Sequence, residues 1–524
     1  MDKRKFQIFP IISGLFLFIF IPILFCIFVW GNRMDYNLAN KLVTLCNNKL
    51  LVLLCAAVVL LFFGFIYLTR KIEITRKISV ILDVCMIVIF TLVFFVDLEI
   101  CKCINIAQGW DVGVVVGTAY NLSKDISIGS ENYYSLYPNN VPITYVLSRL
   151  FCVAEDLKNF PYVNDFIWNI VICMMVSVTG YLTCITVKKI TQKFALTVIV
   201  CLLYIACVCF TPWKTVPYTD MFAIMFPMIC ICLYVFQYYS KSKWCKYGLW
   251  FGIFLAGFIG SLIKPTVLII PIAIILCELV GWITSLKERW KEALIKIGLI
   301  LVAFFLYQGC KNYVYEEVGY EPVKECEFTA LHFLMMGLNE ESTGSFHSGD
   351  VAISGNEPTL KGRTDKQIEV IKERLEEKGF GGYLYFLLRK MVMTFNCGTF
   401  GWAREGVFTY DVYPVYTNAF YVPFVRDLFM PDAKHSGYFN TYSQGIWLLI
   451  LFSIPELCFI KKDKREVCMP ILVSMLGTIF YLMLFEARAR YLLFALPVFV
   501  MAAALGIGQG YEIVVKIKNK LKKH

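Results

Sequence analysis

From Ile11 to Gln509 the chain alternates long apolar runs with polar connectors, and the connectors themselves alternate between basic and non-basic. A run of about 20 apolar residues is long enough to cross a hydrocarbon core, so each one predicts a membrane-spanning helix. The first run, Ile11–Trp30, follows Lys3, Arg4 and Lys5. No small-residue cleavage site comes cleanly after it, which predicts a retained span rather than a removed leader. Further runs lie at 50–68, 79–98, 164–187, 194–211, 220–239, 247–263, 266–284, 294–310, 443–460, 468–485 and 491–509. The pattern predicts an all-α polytopic membrane protein with about twelve transmembrane helices.

The basic connectors give these spans an orientation. Arg70-Lys71 with Arg76-Lys77, Lys188-Lys189 with Lys193, the Lys241–Lys246 group, the Lys287–Lys291 group, Lys461–Arg465 and the Lys516–Lys523 tail fall in alternate connectors. Lysine and arginine are enriched in cytoplasmic loops, which puts both termini in the cytoplasm. One apolar run, Val141–Ala154, does not fit. Counted as a span, it would move Lys188-Lys189 outside and invert every later connector. It is short and leads into Glu155 and Asp156, so we expect an external juxtamembrane or re-entrant helix, with a half-span buried in protein as the competing reading.

The chain then divides into N-terminal spans (1–98), a first large external loop (99–163), a central bundle (164–310), a second large external region (311–442) and C-terminal spans with a basic tail (443–524). Loops this long inside a compact protein are functional or disordered. These two are aromatic-rich and complex in sequence, which argues for function.

Composition narrows the class. Hydrophobic residues make up 58% of the 524 residues, above the roughly 45–50% of soluble domains. The net charge of +11 follows from the topology-setting loops and does not call for a nucleic-acid partner. Most of the 21 cysteines sit inside spans as small apolar residues, with no zinc-like spacing. Cys101 and Cys103, two residues apart, make a poor disulfide pair. No phosphate-cradling glycine loop or nucleotide-binding fold is present, so no cofactor is expected. A divalent metal is possible in such chemistry but not indicated; His347 with Asp350 is too thin a hint.

Candidate chemistry concentrates in the two long loops. In the first, Gln108-Gly109-Trp110-Asp111-Val112-Gly113 precedes Tyr133-Tyr134-Ser135-Leu136-Tyr137-Pro138-Asn139-Asn140. A carboxylate partly withdrawn from water between an indole and an apolar stretch gains basicity and suits general-base work on a hydroxyl. Asp111 also fits as the cap of a helix starting at Val112, and the two roles are compatible. Tyr137 offers a stacking face for a sugar ring, and Asn139 and Asn140 offer amides to hydroxyl-rich ligands.

Taken in order, Asp111, the Tyr137-Pro138-Asn139-Asn140 start of a helix and Pro217-Tyr218-Thr219-Asp220 resemble bacterial membrane glycosyltransferases of the GT-C superfamily. The branch is the one related to protein mannosyltransferases and the aminoarabinose lipid A transferase. The likeness continues through Leu262-Ile263-Lys264-Pro265-Thr266, His332-Phe333-Leu334-Met335-Met336-Gly337-Leu338-Asn339 and Glu486-Ala487-Arg488-Ala489-Arg490-Tyr491, and spans roughly Ser79 to Gly510. It implies an inverting glycosyltransferase that moves a sugar from a polyprenyl-phosphate carrier to a glycan, lipid or protein acceptor at the outer membrane face, with Asp111 as the catalytic base. Many relatives carry two adjacent acidic residues where Val112 follows Asp111 here, which keeps Asp97 and Glu99 open as alternative bases.

Such a transfer needs positive charge where the phosphate departs. Arg488 and Arg490 at the end of one span, with Glu486 to orient one of them, and Lys264 between two spans fit that need, although cations at helix ends also snorkel. Asp220 and His332 complete the expected substrate-binding set, with simple packing the alternative for His332. A charged stretch, Lys361–Lys378, reads as a solvated surface helix, and Phe380–Phe395 as an interfacial helix closing over the lipid. The loop Gly398–Tyr421, with Trp402, Arg404, Glu405, Tyr410 and Asp411, reads as an acceptor platform. Two other classes stay open: a polysaccharide polymerase or ligase, which would lack this motif order, and a lipid-linked sugar transporter, which would show repeated halves and charges at mid-membrane.

Overall fold

The computed structural model describes residues 5–31, 43–128, 133–157, 163–284, 286–402, 417–431 and 433–522. The chain is an all-α polytopic membrane protein. Among the described residues there is no β-strand, and a single isolated antiparallel bridge joins Glu73 to Lys193. Among the described residues ten helices are long and apolar enough to cross a membrane: Ile8–Trp30, Asn48–Thr69, Arg76–Cys103, Phe166–Thr191, Thr219–Tyr239, Lys243–Ile263, Trp290–Val318, Ser436–Phe459, Lys462–Leu484 and Ala489–Leu521. Two more apolar helices, Phe194–Cys209 and Pro265–Val280, are shorter. At about 1.5 Å per residue neither reaches the roughly 30 Å of a hydrocarbon core. The twelve apolar runs are therefore all helical, and two of them fall short of a full crossing.

Local chemistry fixes where several spans begin. Asn47 accepts the Leu50 amide at 3.0 Å and Thr75 accepts the Ile78 amide at 3.3 Å, each satisfying a donor that the first helical turn leaves open. The last span forms the centre, with 94% of its most apolar window buried. Its run Ala502-Ala503-Ala504, followed by Gly506, Gly508 and Gly510, lets neighbouring helices approach closely, as small residues do in membrane bundles. Asn48–Thr69, Arg76–Cys103 and Trp290–Val318 bury only 17% of theirs and form the lipid-facing rim.

The two long connectors emerge at the bundle end opposite the basic loops. The first folds into the helices Trp110–Leu122, Tyr133–Leu136 and Val141–Asp156. Val141–Asp156 is amphipathic. It buries Ile143, Leu147 and Phe151 against Trp110–Leu122 and the bundle edge, and it is not among the helices able to span. The second forms Ala330–Gly337, Ser348–Gly355, Leu360–Phe395 and Val422–Phe429.

Leu360–Phe395 breaks at Gly379, whose φ of 56° is the left-handed conformation glycine tolerates. Beyond the break, Phe380, Leu384 and Tyr385 are exposed, an apolar face suited to a membrane surface. Before it, the expectation of a merely solvated helix needs correcting. Arg363 is buried and donates to the carbonyls of Ser354 and Glu327, while Arg374 forms a two-pronged pair with Asp350. These side chains anchor Ser348–Gly355.

Candidate active site

Asp111 stands in the first turn of Trp110–Leu122. The N-cap of that helix is Gly109, so the expectation that Asp111 caps a helix starting at Val112 is corrected. The turn is tight. Trp110 has a φ of 46°, uncommon for a bulky side chain, and a Cβ on Gly113 would lie 2.6 Å from the Gln108 carbonyl oxygen. This strain turns the Trp110 indole and the Asp111 carboxylate toward the same chamber.

Two phenols hold the carboxylate. Tyr218 lies 3.4 Å from Asp111 Oδ2, and Tyr133 also hydrogen-bonds to Asp111. Both phenols are held by one amide, since Asn140 Nδ2 donates to Tyr133 at 2.6 Å and to Tyr218 at 3.3 Å. Burial pushes both phenols well above their ordinary acidity range, so they stay protonated as donors to the carboxylate. Tyr137, pushed up to about 12 by burial, stacks edge-on against Phe328.

Opposite this group is a wall of cations. Arg490 is caged by the rings of Trp110, Trp213, Tyr218 and Tyr491, with its guanidinium carbon 5.0 to 5.8 Å from the four centroids. Cation–π attraction grows in such desolvated settings. Lys264 Nζ lies 5.0 Å from the Tyr491 centroid. Asp220 sits between the two cations, 2.8 Å from Lys264 Nζ and 3.4 Å from Arg490 Nε. Arg488 Nε donates to Glu486 at 2.9 Å, and its guanidinium lies over Phe346.

One cavity of about 720 Å³ joins the two groups. Asp111, Tyr137, Asn139 and Asn140 line one side; Lys264, Glu486, Arg488 and Arg490 line the other; His332 lies among the lining residues between them. Asp220 is the one expected contact residue that does not line the cavity. It is 2% exposed and binds the two cations from behind, which makes it their counter-ion rather than a ligand contact. His332 is fully buried, stacks on Phe328 with centroids 4.1 Å apart and shares a 2.7 Å hydrogen bond with Ser354. Burial lowers its pKa to about 4, so its ring is neutral at pH 7.

The alternative bases lie elsewhere. Asp97 is fully buried in an ion pair with Lys214 at 2.5 Å, and Glu99 is tied to Lys102 and Tyr421; neither lines the cavity. Asp350 is occupied by Arg374 and Asn339, and no cluster able to hold a metal ion is found among the described residues. Trp402 is buried and donates to the Phe429 carbonyl, whereas Arg404, Glu405, Tyr410 and Asp411 lie outside the described residues. Sequence reasoning did not single out Tyr133, Trp213 or Lys390. Of these, Tyr133 opens a quoted run without a role of its own, Lys390 read only as a cation of the interfacial helix Phe380–Phe395, and Trp213 carries no local signal.

A comparison with curated proteins finds no match. The solved structures that match include ArnT from Cupriavidus metallidurans bound to undecaprenyl phosphate, 12% identical, with 81% of this chain and 77% of that chain covered and a TM-score of 0.28. A family model described as conserved hypothetical integral membrane protein matches residues 7–511, and the chain belongs to that family of integral membrane proteins.

Proposed function

We propose that this protein is an inverting glycosyltransferase of the bacterial plasma membrane, taking its sugar from a polyprenyl-phosphate carrier on the outer face. The supporting observation is the single cavity in which Asp111 faces Lys264, Arg488 and Arg490, with Tyr218 touching both Asp111 and Arg490. The motif order that resembles the GT-C superfamily agrees with it.

In this reading the Asp111 carboxylate takes the proton of an acceptor hydroxyl as that oxygen attacks the anomeric carbon. The bond from carbon to phosphate oxygen breaks on the opposite face, inverting the centre, and polyprenyl phosphate leaves without needing an acid. Lys264, Arg488 and Arg490 receive the charge that builds on the phosphate. Lys264 and Arg490 are already fixed by Asp220, and Arg488 by Glu486, so little reorganisation accompanies the reaction. Tyr137 and Asn139 are the contacts for the sugar, and the acceptor is a glycan, a lipid or a protein.

The test is transfer from synthetic polyprenyl-phosphate sugars in membranes, comparing the wild type with Asp111→Asn. The wild type should release polyprenyl phosphate, and the folded variant should lose about a hundredfold or more in rate. Equal activity of the two would remove Asp111 from the chemistry, and a wild type that consumes no carrier would return the polymerase and transporter readings.

A further inference from the structure

Lys390 is a buried cation that the chemistry above does not use. It lies near the end of Leu360–Phe395, is fully buried and does not line the cavity. Its ammonium donates to three backbone carbonyls: Gly337 at 2.7 Å, Met483 at 3.1 Å and Phe485 at 2.6 Å. The first closes the helix Ala330–Gly337, and the other two close the span that ends at Leu484. Terminal carbonyls of helices lack internal partners, so one ammonium here satisfies two helix ends at once.

The same junction is knit by backbone contacts. The Glu486 amide donates to Phe333 O at 3.0 Å, and the Ala487 amide donates to Gly344 O at 2.9 Å. The fit leaves no slack, because a Cβ on Gly337 would lie 2.5 Å from Leu484 O. Three residues beyond Phe485 comes Arg488, followed at one remove by Arg490. Packing alone would be served by methionine or leucine at this position. An ammonium costs desolvation, visible in a pKa pulled down to about 7 by burial with the Glu486 charge opposing.

We propose that Lys390 is a positioning residue that clamps the 485–490 segment to the helices of the second long connector and so sets the placement of Arg488 for anion binding. The part concerning anion binding rests on the function proposed above; the clamp itself does not. Two measurements separate them: hydrogen exchange of the 484–492 segment, and binding of undecaprenyl phosphate in detergent. Wild type is compared with Lys390→Met, with Lys390→Gln (which keeps two donors), with Arg488→Ala and with the double variant Lys390→Met/Arg488→Ala.

Lys390→Met should speed exchange of the Glu486 and Ala487 amides and weaken binding about tenfold, the loss of one good hydrogen bond to a charged group. Lys390→Gln should fall between it and the wild type, and it covers the case in which the methionine variant does not fold. The double variant should bind no more weakly than Arg488→Ala, since both act through one contact. Unchanged amide protection in either folded variant overturns the clamp. Additive losses in the double variant overturn its action through Arg488. If wild type binds no undecaprenyl phosphate, the proposed function fails and amide exchange alone decides the clamp.

Discussion

The basic end of the bundle and the interior around the cavity treat charge in opposite ways. At the basic end the ion pairs are wet: Lys193 and Lys461 reach Glu512 with side chains 37%, 45% and 24% exposed. In the interior of the cavity end they are dry, whereas pairs on its outer surface, such as Lys102–Glu99 and Lys124–Glu155, are exposed. The side chains of Lys214 and Asp97 are each 1% exposed, that of Asp220 is 3% exposed between Lys264 and Arg490, and Lys390 has only carbonyls for hydrogen-bond partners among the described residues. Exposed pairs are worth about 0–1 kcal/mol, whereas buried charges carry a desolvation cost of several kcal/mol each. A fold that meets that cost repeatedly at one end needs those charges held in place, and the same end contains the cavity. The basic side also holds a buried pair, Lys296 with Glu278, the ammonium lying over Trp250 and Trp282.

The strongest way to break this contrast is Asp97→Asn. It strands Lys214 in a wholly buried site, so stability should fall by about 3–5 kcal/mol, read as a lower unfolding temperature in detergent. Because Lys214 anchors the turn carrying Trp213 and leading to Tyr218, activity should fall with it. Asp220→Asn should cost less, about 1–3 kcal/mol, because its two cations face an open chamber. Here the added net positive charge invites an anion, so under the proposed function undecaprenyl phosphate should restore thermal stability to Asp220→Asn and not to Asp97→Asn. Restoration of both or of neither would erase the distinction between a site charge and a structural one.

How much of this was legible in sequence depends on whether the signal is local. Apolar period and lysine bias marked every span, because a lipid-facing helix must satisfy its own backbone and exclude charge along its length. The site residues that sit in short motifs, such as Asp111, Asn140, Lys264, Arg488 and Arg490, stood out because charges and amides at span ends are costly unless used. Asp220 was found for the wrong contact: its motif marked a functional edge, but which face it turns to is decided by Lys264 and Arg490, which approach from other helices. The role of Lys390 was invisible. Beside Arg389 it looks like any interfacial cation, and its partners are carbonyls, which carry no sequence signature. The Asp97–Lys214 pair was hidden for a related reason, since its members lie on separate elements that meet only in the folded bundle.

His332 tests the dry end by pH. Burial lowers its pKa from 6.5 to about 4, so between those values the unfolded chain binds the proton that the folded chain refuses. Stability from this residue is complete above pH 6.5 and is lost as pH falls toward 4, by about 3 kcal/mol in all. His332→Gln should flatten the fall in unfolding temperature between pH 7 and pH 4.5. An unchanged acid limb would mean that the buried carboxylates, not His332, set it.

The smallest effect belongs to the wet end, and its smallness is the point. Glu512 accepts from Lys193 at 2.5 Å and Lys461 at 3.0 Å, and Lys193 also forms the backbone bridge to Glu73. By count of contacts this resembles the Asp220 cluster, with one carboxylate between two cations. The difference is water. Both lysines keep solvation when the carboxylate is neutralised, and salt screens what remains. Glu512→Gln should therefore cost no more than about 1 kcal/mol, less still at high ionic strength, and leave transfer unchanged. A loss comparable to that of Asp220→Asn, persisting in high salt, would mean that the two ends are mechanically joined through the central span Ala489–Leu521, which carries Arg490 at one end and Glu512 toward the other.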